Sequence, residues 1–315
     1  MKLYRFILPL LSSLLLAYAI GVWMDFRYRE RWSSLFFNMS DELISSHTKY
    51  DMILLGNSRV HFGINPYYLD SASGLSAYNF ANGGADVNDI LLTSKLYLEH
   101  HPIPKIVLIS VDPGMLKKME SLQTLYHYLF YLKDTTMRRF MKDAGHPVTL
   151  IRLFPFLKYA LMNEYNRTSI FVKPPNYPVF DHNIYRGYLN ISKDTGIQNQ
   201  DLFNTNRYID DSIWEPSIGQ FDELINLWQK NAVQVIFTYP PENPNSPFKS
   251  WKYYIKGMGI FDSLAKSNHI PAFHFENDKD FVSGYFVDEI HLNNPGSTLY
   301  SIKLGDSVRR FMGSN

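Results

Sequence analysis

Five short apolar runs punctuate this chain, each ended by a turn or polar residue: DMILLG (51–56), SAYNFANGGA (76–85), KIVLISVDP (105–113), VQVIFTYPP (233–241) and IPAFHF (270–275). Runs of this length bounded by Gly, Pro or Asp read as β-strands. Between and after them, VHFGINPYYLDSAS, VNDILLTSKLYLEHH, FDELINLWQKN, WKYYIKGMGIFDSLAKSNH and PGSTLYSIKLGDSVRRFM carry helical spacing. Strands alternating with helices predict an α/β fold of three layers, with a mostly parallel sheet covered on both faces. The rhythm breaks between Gly114 and Glu215, where tyrosines, prolines and polar residues crowd. An insertion at about 114–215 is expected near the carboxyl ends of the strands. It either shapes a substrate groove or serves as a structural or oligomer contact.

The N-terminus constrains where the chain resides. Lys2 and Arg5 precede a stretch, Phe6 to Met24, without a charge. That is the length of a bilayer core, which takes about 20 apolar residues. Ala17-Tyr18-Ala19 also resembles a signal-peptidase site, so residues 1–24 are a membrane anchor or a signal-like segment. The apolar run continues through Ile20, Val22 and Trp23, as an anchor would, and a single retained span in contact with lipid is the expectation. Lys2 and Arg5 on one side face Arg27, Arg29 and Arg31 on the other, so the positive-inside rule does not decide orientation. The basic, apolar, small-residue order is signal-like and places the body outside the cytoplasm. Residues 25–48 read as a juxtamembrane helix or linker, and 49–315 as the α/β body.

A formal net charge of +1, without a Lys/Arg-rich run, makes nucleic acid an unexpected partner. The absence of cysteine excludes disulfides, thiolate catalysis and Cys-ligated metal sites. No metal or organic cofactor is expected, and nothing in the sequence names a protein partner.

Three stretches carry chemistry. Ser58 follows the first strand and a glycine, where a hydroxyl suits a nucleophile and equally a helix N-cap. Asp288 and His291, separated by two residues before the last helix, suit a carboxylate orienting an imidazole base, or a helix-start Asp beside a surface His. Gly83-Gly84 after the second strand offers bare N–H groups to a developing oxyanion, or is a plain turn. All three fall at one edge of the predicted sheet. His100, His101, His269 and His274 read as structural residues, and YPPENPNSP lies at the same edge.

In LLGNSR, NFANGGA and VDEIHLNNPGS, in this order and spacing over about residues 50–311, the chain resembles the SGNH, or GDSL-like, hydrolase superfamily. The resemblance implies an SGNH/flavodoxin-like sheet, Ser58 as nucleophile, His291 as base and Asp288 as its orienting acid. It also implies an oxyanion hole from the Ser58 and Gly84 N–H groups. Two positions depart from the pattern: Asn57 stands where an aspartate is usual, and Asp112 stands where an asparagine amide is expected. An ionised carboxylate cannot donate a hydrogen bond. Either Asn82 or Asn88 substitutes, or Asp112 is protonated or turned away, or the body is catalytically silent. Asn57, Arg59, Tyr185, Arg186 and Tyr239 are candidates for substrate contact. The expected function is a membrane-anchored, extracytoplasmic serine esterase or O-acyltransferase acting on an acylated envelope carbohydrate; the alternative is a silent scaffold or glycan-binding protein.

Overall fold

The computed structural model describes residues 4–32, 37–117, 128–162, 185–190 and 213–314. The chain divides into two compact units, Met1–Ile44 with Thr124–Tyr177, and Ser45–Gln123 with Pro178–Asn315. Of the region expected as an insertion, 118–127, 163–184 and 191–212 lie outside the described residues, as do 33–36 of the expected juxtamembrane segment.

The larger unit is built on five parallel strands, β1 (Met52–Leu55), β2 (Ala77–Asn79), β3 (Ile106–Ser110), β4 (Gln234–Tyr239) and β5 (Ala272–His274), in the order β2-β1-β3-β4-β5. β1 is in register with both neighbours, Met52 opposite Ala77 and Ile106. Its four residues are all buried, as expected of a strand covered on both faces. Met52, Leu54, Ile106, Leu108 and Ile236 share one core cluster with Leu69, Tyr300, Leu304 and Val308. The last four belong to the helices Pro66–Ser73 and Asn294–Gly313 on one face. Phe237 turns the other way and meets Phe261, which in turn packs on Phe221. There the helices Val87–His100, Pro216–Lys230 and Lys252–Ser267 form the opposite layer.

This arrangement follows from right-handed crossovers. The chain moves from β1 to β2 in one direction and from β2 through β5 in the other, so the connecting helices change faces. The strand order therefore reverses between β1 and β3, and the crevice outside their carboxyl ends is where open α/β sheets bind ligands.

The smaller unit begins with α1 (Tyr4–Trp32), a helix that runs eight residues past the uncharged stretch. Its 24 residues Ile7–Glu30, whose most apolar 18-residue window has a mean hydropathy of 2.0, have the length and composition of a membrane span or a signal sequence. The same unit holds α2 (Asn38–Ser45) as far as Ile44, and helices of five to nine residues between Thr135 and Leu161. Tyr28 of α1 stacks on Phe130 at 5.2 Å, and Arg29 lies 4.4 Å above the Phe37 ring while bonding Asp41.

Candidate active site

β1 ends at Leu55, and Gly56 turns the chain toward a one-turn helix, α3 (Ser58–His61). A side chain at Gly56 would have its Cβ 2.5 Å from Val60 Cγ2, so only glycine lets α3 start so close to the strand. The cap of α3 is Asn57, whose side-chain oxygen accepts the Arg59 N–H at 3.0 Å. Ser58 is thus the first helical residue, and its half-buried hydroxyl is released from capping. From β2, the buried Asn79 donates through its amide to the carbonyls of Val60 and Ile64, both at 2.9 Å, and pins the serine helix.

The released hydroxyl lies 2.8 Å from His291 Nε2, across 233 residues of sequence. His291 Nδ1 lies 2.7 Å from Asp288 Oδ2. Asp288 Oδ1 also accepts the N–H groups of Ile290 and His291, at 2.9 and 2.7 Å. Burial works to raise the Asp288 carboxyl, but His291 and these two N–H groups outweigh it and hold its pKa below the ordinary value. An ionised carboxylate only accepts, so Nδ1 carries the ring proton and Nε2 is left to accept from Ser58. Asn293 fixes the turn behind the imidazole by donating to Gly284 O at 2.7 Å and capping the last helix at Gly296 N, 3.1 Å.

Beside the serine, the turn after β2 is closed by Ala85 N–H to Asn82 O at 3.1 Å. Gly84 takes a left-handed φ of 76°, which glycine adopts without strain. Asn82 N–H donates to Gly56 O at 3.2 Å, which ties this turn to the serine loop. The Asn82 side-chain nitrogen is enclosed and has no hydrogen-bond partner. The Asn88 side-chain oxygen accepts from Gln220 at 2.6 Å, which ties that side chain to the helix Pro216–Lys230.

Asp112 is turned into a different network. One of its oxygens accepts Gly114 N–H at 2.7 Å, and the other pairs with the Arg59 guanidinium at 2.9 Å. Arg59 also meets Glu242 at 3.3 Å and donates to the carbonyls of Pro240 and Pro241, at 3.2 and 2.9 Å. Burial disfavours the charged guanidinium, yet Glu242 and Asp112 more than offset this and raise its pKa above the usual arginine range. Arg59 is therefore an internal counter-ion, held by partners within the protein. Glu242, not singled out in the sequence, is the missed member, and its place in the turn YPPENPNSP is the signal that was there.

The remaining candidates are structural in their contacts. Tyr239 is fully buried, bonds Asp262 at 2.7 Å and stacks on His274. Arg186 pairs with Asp70 at 2.6 Å, and its carbonyl accepts Asn79 N–H at 3.0 Å, so it anchors a turn against β2. Tyr185 packs edge-on against Tyr67 and stays partly exposed. A small cavity of about 30 Å³ opens between Arg59, Asp112, Pro113, Trp251, Tyr254 and Ile290, adjoining in sequence both Ser58 and His291.

No protein-family model matches this chain, and no curated protein matches it. Among solved structures, a GDSL-like lipase from Bacteroides thetaiotaomicron is 10% identical, with a TM-score of 0.42 over 88% of this chain and 98% of that one. A protein described as an acylhydrolase, from Bacteroides fragilis, is 10% identical with a TM-score of 0.44 over 89% and 98%. A protein described as lipolytic and of the G-D-S-L family, from Desulfitobacterium hafniense, gives 10%, 0.42, 82% and 99%. These are distant likenesses in the course of the chain, and the chemistry of the site is drawn from its own side chains.

Proposed function

We propose that this protein is an SGNH-type serine esterase or O-acyltransferase, held at a membrane by α1 and acting outside the cytoplasm on short acyl esters of envelope carbohydrate. The observation that carries this reading is the continuous relay from Ser58 Oγ through His291 to Asp288, with bonds of 2.8 and 2.7 Å. A hydroxyl is a poor nucleophile until a base takes its proton, and an oriented imidazole is that base.

Ser58 Oγ attacks the ester carbonyl as its proton passes to His291 Nε2. The N–H groups of Ser58 and Gly84 and the side-chain amide of Asn82 receive the developing oxyanion. The amide replaces the donor that Asp112 cannot supply, and Arg59 neutralises the Asp112 charge that would repel the oxyanion. His291 then returns the proton to the leaving alcohol, and an acyl-enzyme forms on Ser58. Water, or a sugar hydroxyl activated by the same imidazole, takes the acyl group in the second half.

The neighbouring cavity supports a short acyl group. Its volume, about 30 Å³, exceeds the roughly 10–15 Å³ that one water requires and gives room for a small group. The signal-like order of the N-terminus supports the placement outside the cytoplasm, and the aromatic-rich region between β3 and β4 supports a carbohydrate. The test is turnover of a small acetyl ester by the full chain in detergent beside Ser58→Ala. Loss in the variant is expected; undiminished turnover contradicts the assignment.

A further inference from the structure

We propose that residues 150–156 lie at the bilayer surface and seat the side chains of Leu150 and Leu153 among the lipid acyl chains. The inference rests on the reading of α1 as a retained span. Along α1, Ile7 to Ile20 is almost entirely free of protein contact, whereas Gly21 is buried. Fourteen residues at about 1.5 Å each cover roughly 21 Å, short of the roughly 30 Å hydrocarbon core. The uncharged stretch from Phe6 to Met24 covers about 28 Å and closes the gap. The bilayer therefore extends to the level of Gly21–Met24, where Gly21 is buried and Met24 half-buried while Val22 and Trp23 stay exposed.

What covers Gly21 is the Pro155–Phe156 backbone. A Cβ on Gly21 would lie 2.7 Å from Phe156 N and 2.9 Å from Pro155 Cβ, so the two segments touch main chain to main chain on that side. One helical turn further, Asp25 is the first charge after the apolar stretch. Lys158 Nζ meets it at 2.7 Å and the Tyr159 hydroxyl donates to it at 2.8 Å, with Lys158 itself 4% exposed. A carboxylate at the edge of hydrocarbon is costly unless paired, and here the same segment supplies the partner.

The helix Val148–Leu153 completes the surface. Val148 and Ile151 face into the unit, while Leu150 and Leu153, three residues apart, are 50% and 59% exposed. Arg152 between them is also exposed and has the length to reach headgroup phosphates.

The chain has no cysteine, so single-cysteine variants can be labelled cleanly. Leu150→Cys, Leu153→Cys and the span reference Leu15→Cys, each carrying an NBD fluorophore on the full chain, are reconstituted into phosphatidylcholine vesicles containing acyl-chain-brominated lipid. Quenching at both 150 and 153, at least about half that at 15, is expected. Quenching at 15 with none at 150 or 153 overturns the proposal while leaving the span intact. No quenching at 15 overturns the span, and the proposal falls with it.

Discussion

Ser58 and Arg59 are adjacent in the chain and sit in opposite electrostatic settings. The serine hydroxyl is half-buried and bonded to one imidazole, with its other side open. The arginine is closed in by two carboxylates and two carbonyls. Both are ends of charged relays at the carboxyl edge of one sheet. A hydroxyl proposed to react keeps one direction free, whereas a buried counter-ion fills nearly every one. Changes on the serine side are expected to cost mainly rate, and changes on the arginine side mainly stability.

The largest expected effect is on the serine side. His291→Ala lowers kcat on an acetyl ester by roughly 10⁶-fold, and Asp288→Asn by about 10⁴-fold through the wrong ring tautomer. Steady-state kinetics check both, and a variant within tenfold of the parent breaks the comparison. On the arginine side, Arg59→Met leaves Asp112 and Glu242 buried without their cation. It costs about 3–5 kcal/mol in urea denaturation, and Glu242→Gln in that background recovers part of the loss. A neutral Arg59→Met shows that the cluster is dispensable.

Two amides sharpen the boundary. Asn82→Ala lowers kcat by about 10²–10³-fold with little change in KM, the signature of a lost oxyanion donor. Asn88→Ala, whose amide is held by Gln220, leaves kcat within severalfold. Equal kinetics for the two variants would remove Asn82 from the oxyanion hole.

The smallest effect is pH-dependent. His61, at the other end of α3, is pushed down to about 4 by burial, and its Nδ1 has no partner. The neutral ring is the folded form, so its contribution is complete above the unfolded value of about 6.5 and is lost as pH falls from there to 4. That loss is at most about 3 kcal/mol. Denaturation midpoints between pH 7 and 4 should fall less steeply in His61→Phe than in the parent.

The order of strands and helices was legible because parallel strands covered on both faces leave short, continuous apolar runs, and amphipathic helices separate them. The Ser58, Asp288 and His291 cluster was legible because each stands just beyond such a run or before a helix. What stayed hidden depends on distance along the chain. Arg59 meets partners 53 and 183 residues away, so nothing local tells a buried counter-ion from a substrate contact. The ambiguity between cap and nucleophile was real at Ser58, since Asn57 and Ser58 are both good caps. Asn57 takes the cap at 3.0 Å and the Ser58 hydroxyl lies 2.8 Å from His291, contacts that no local pattern shows. Asn79 left a weak trace, an amide residue in a fully buried strand, where asparagine is disfavoured. The packing of Pro155–Phe156 on Gly21 left none, because a glycine in an apolar helix has many uses.

The most direct test of the central claim is covalent labelling of the full chain by a fluorophosphonate, read by peptide mass spectrometry. A single adduct on Ser58 is expected that disappears in His291→Ala while Arg59→Lys retains it. An unlabelled Ser58 in the folded parent protein, or labelling that survives His291→Ala undiminished, would contradict it.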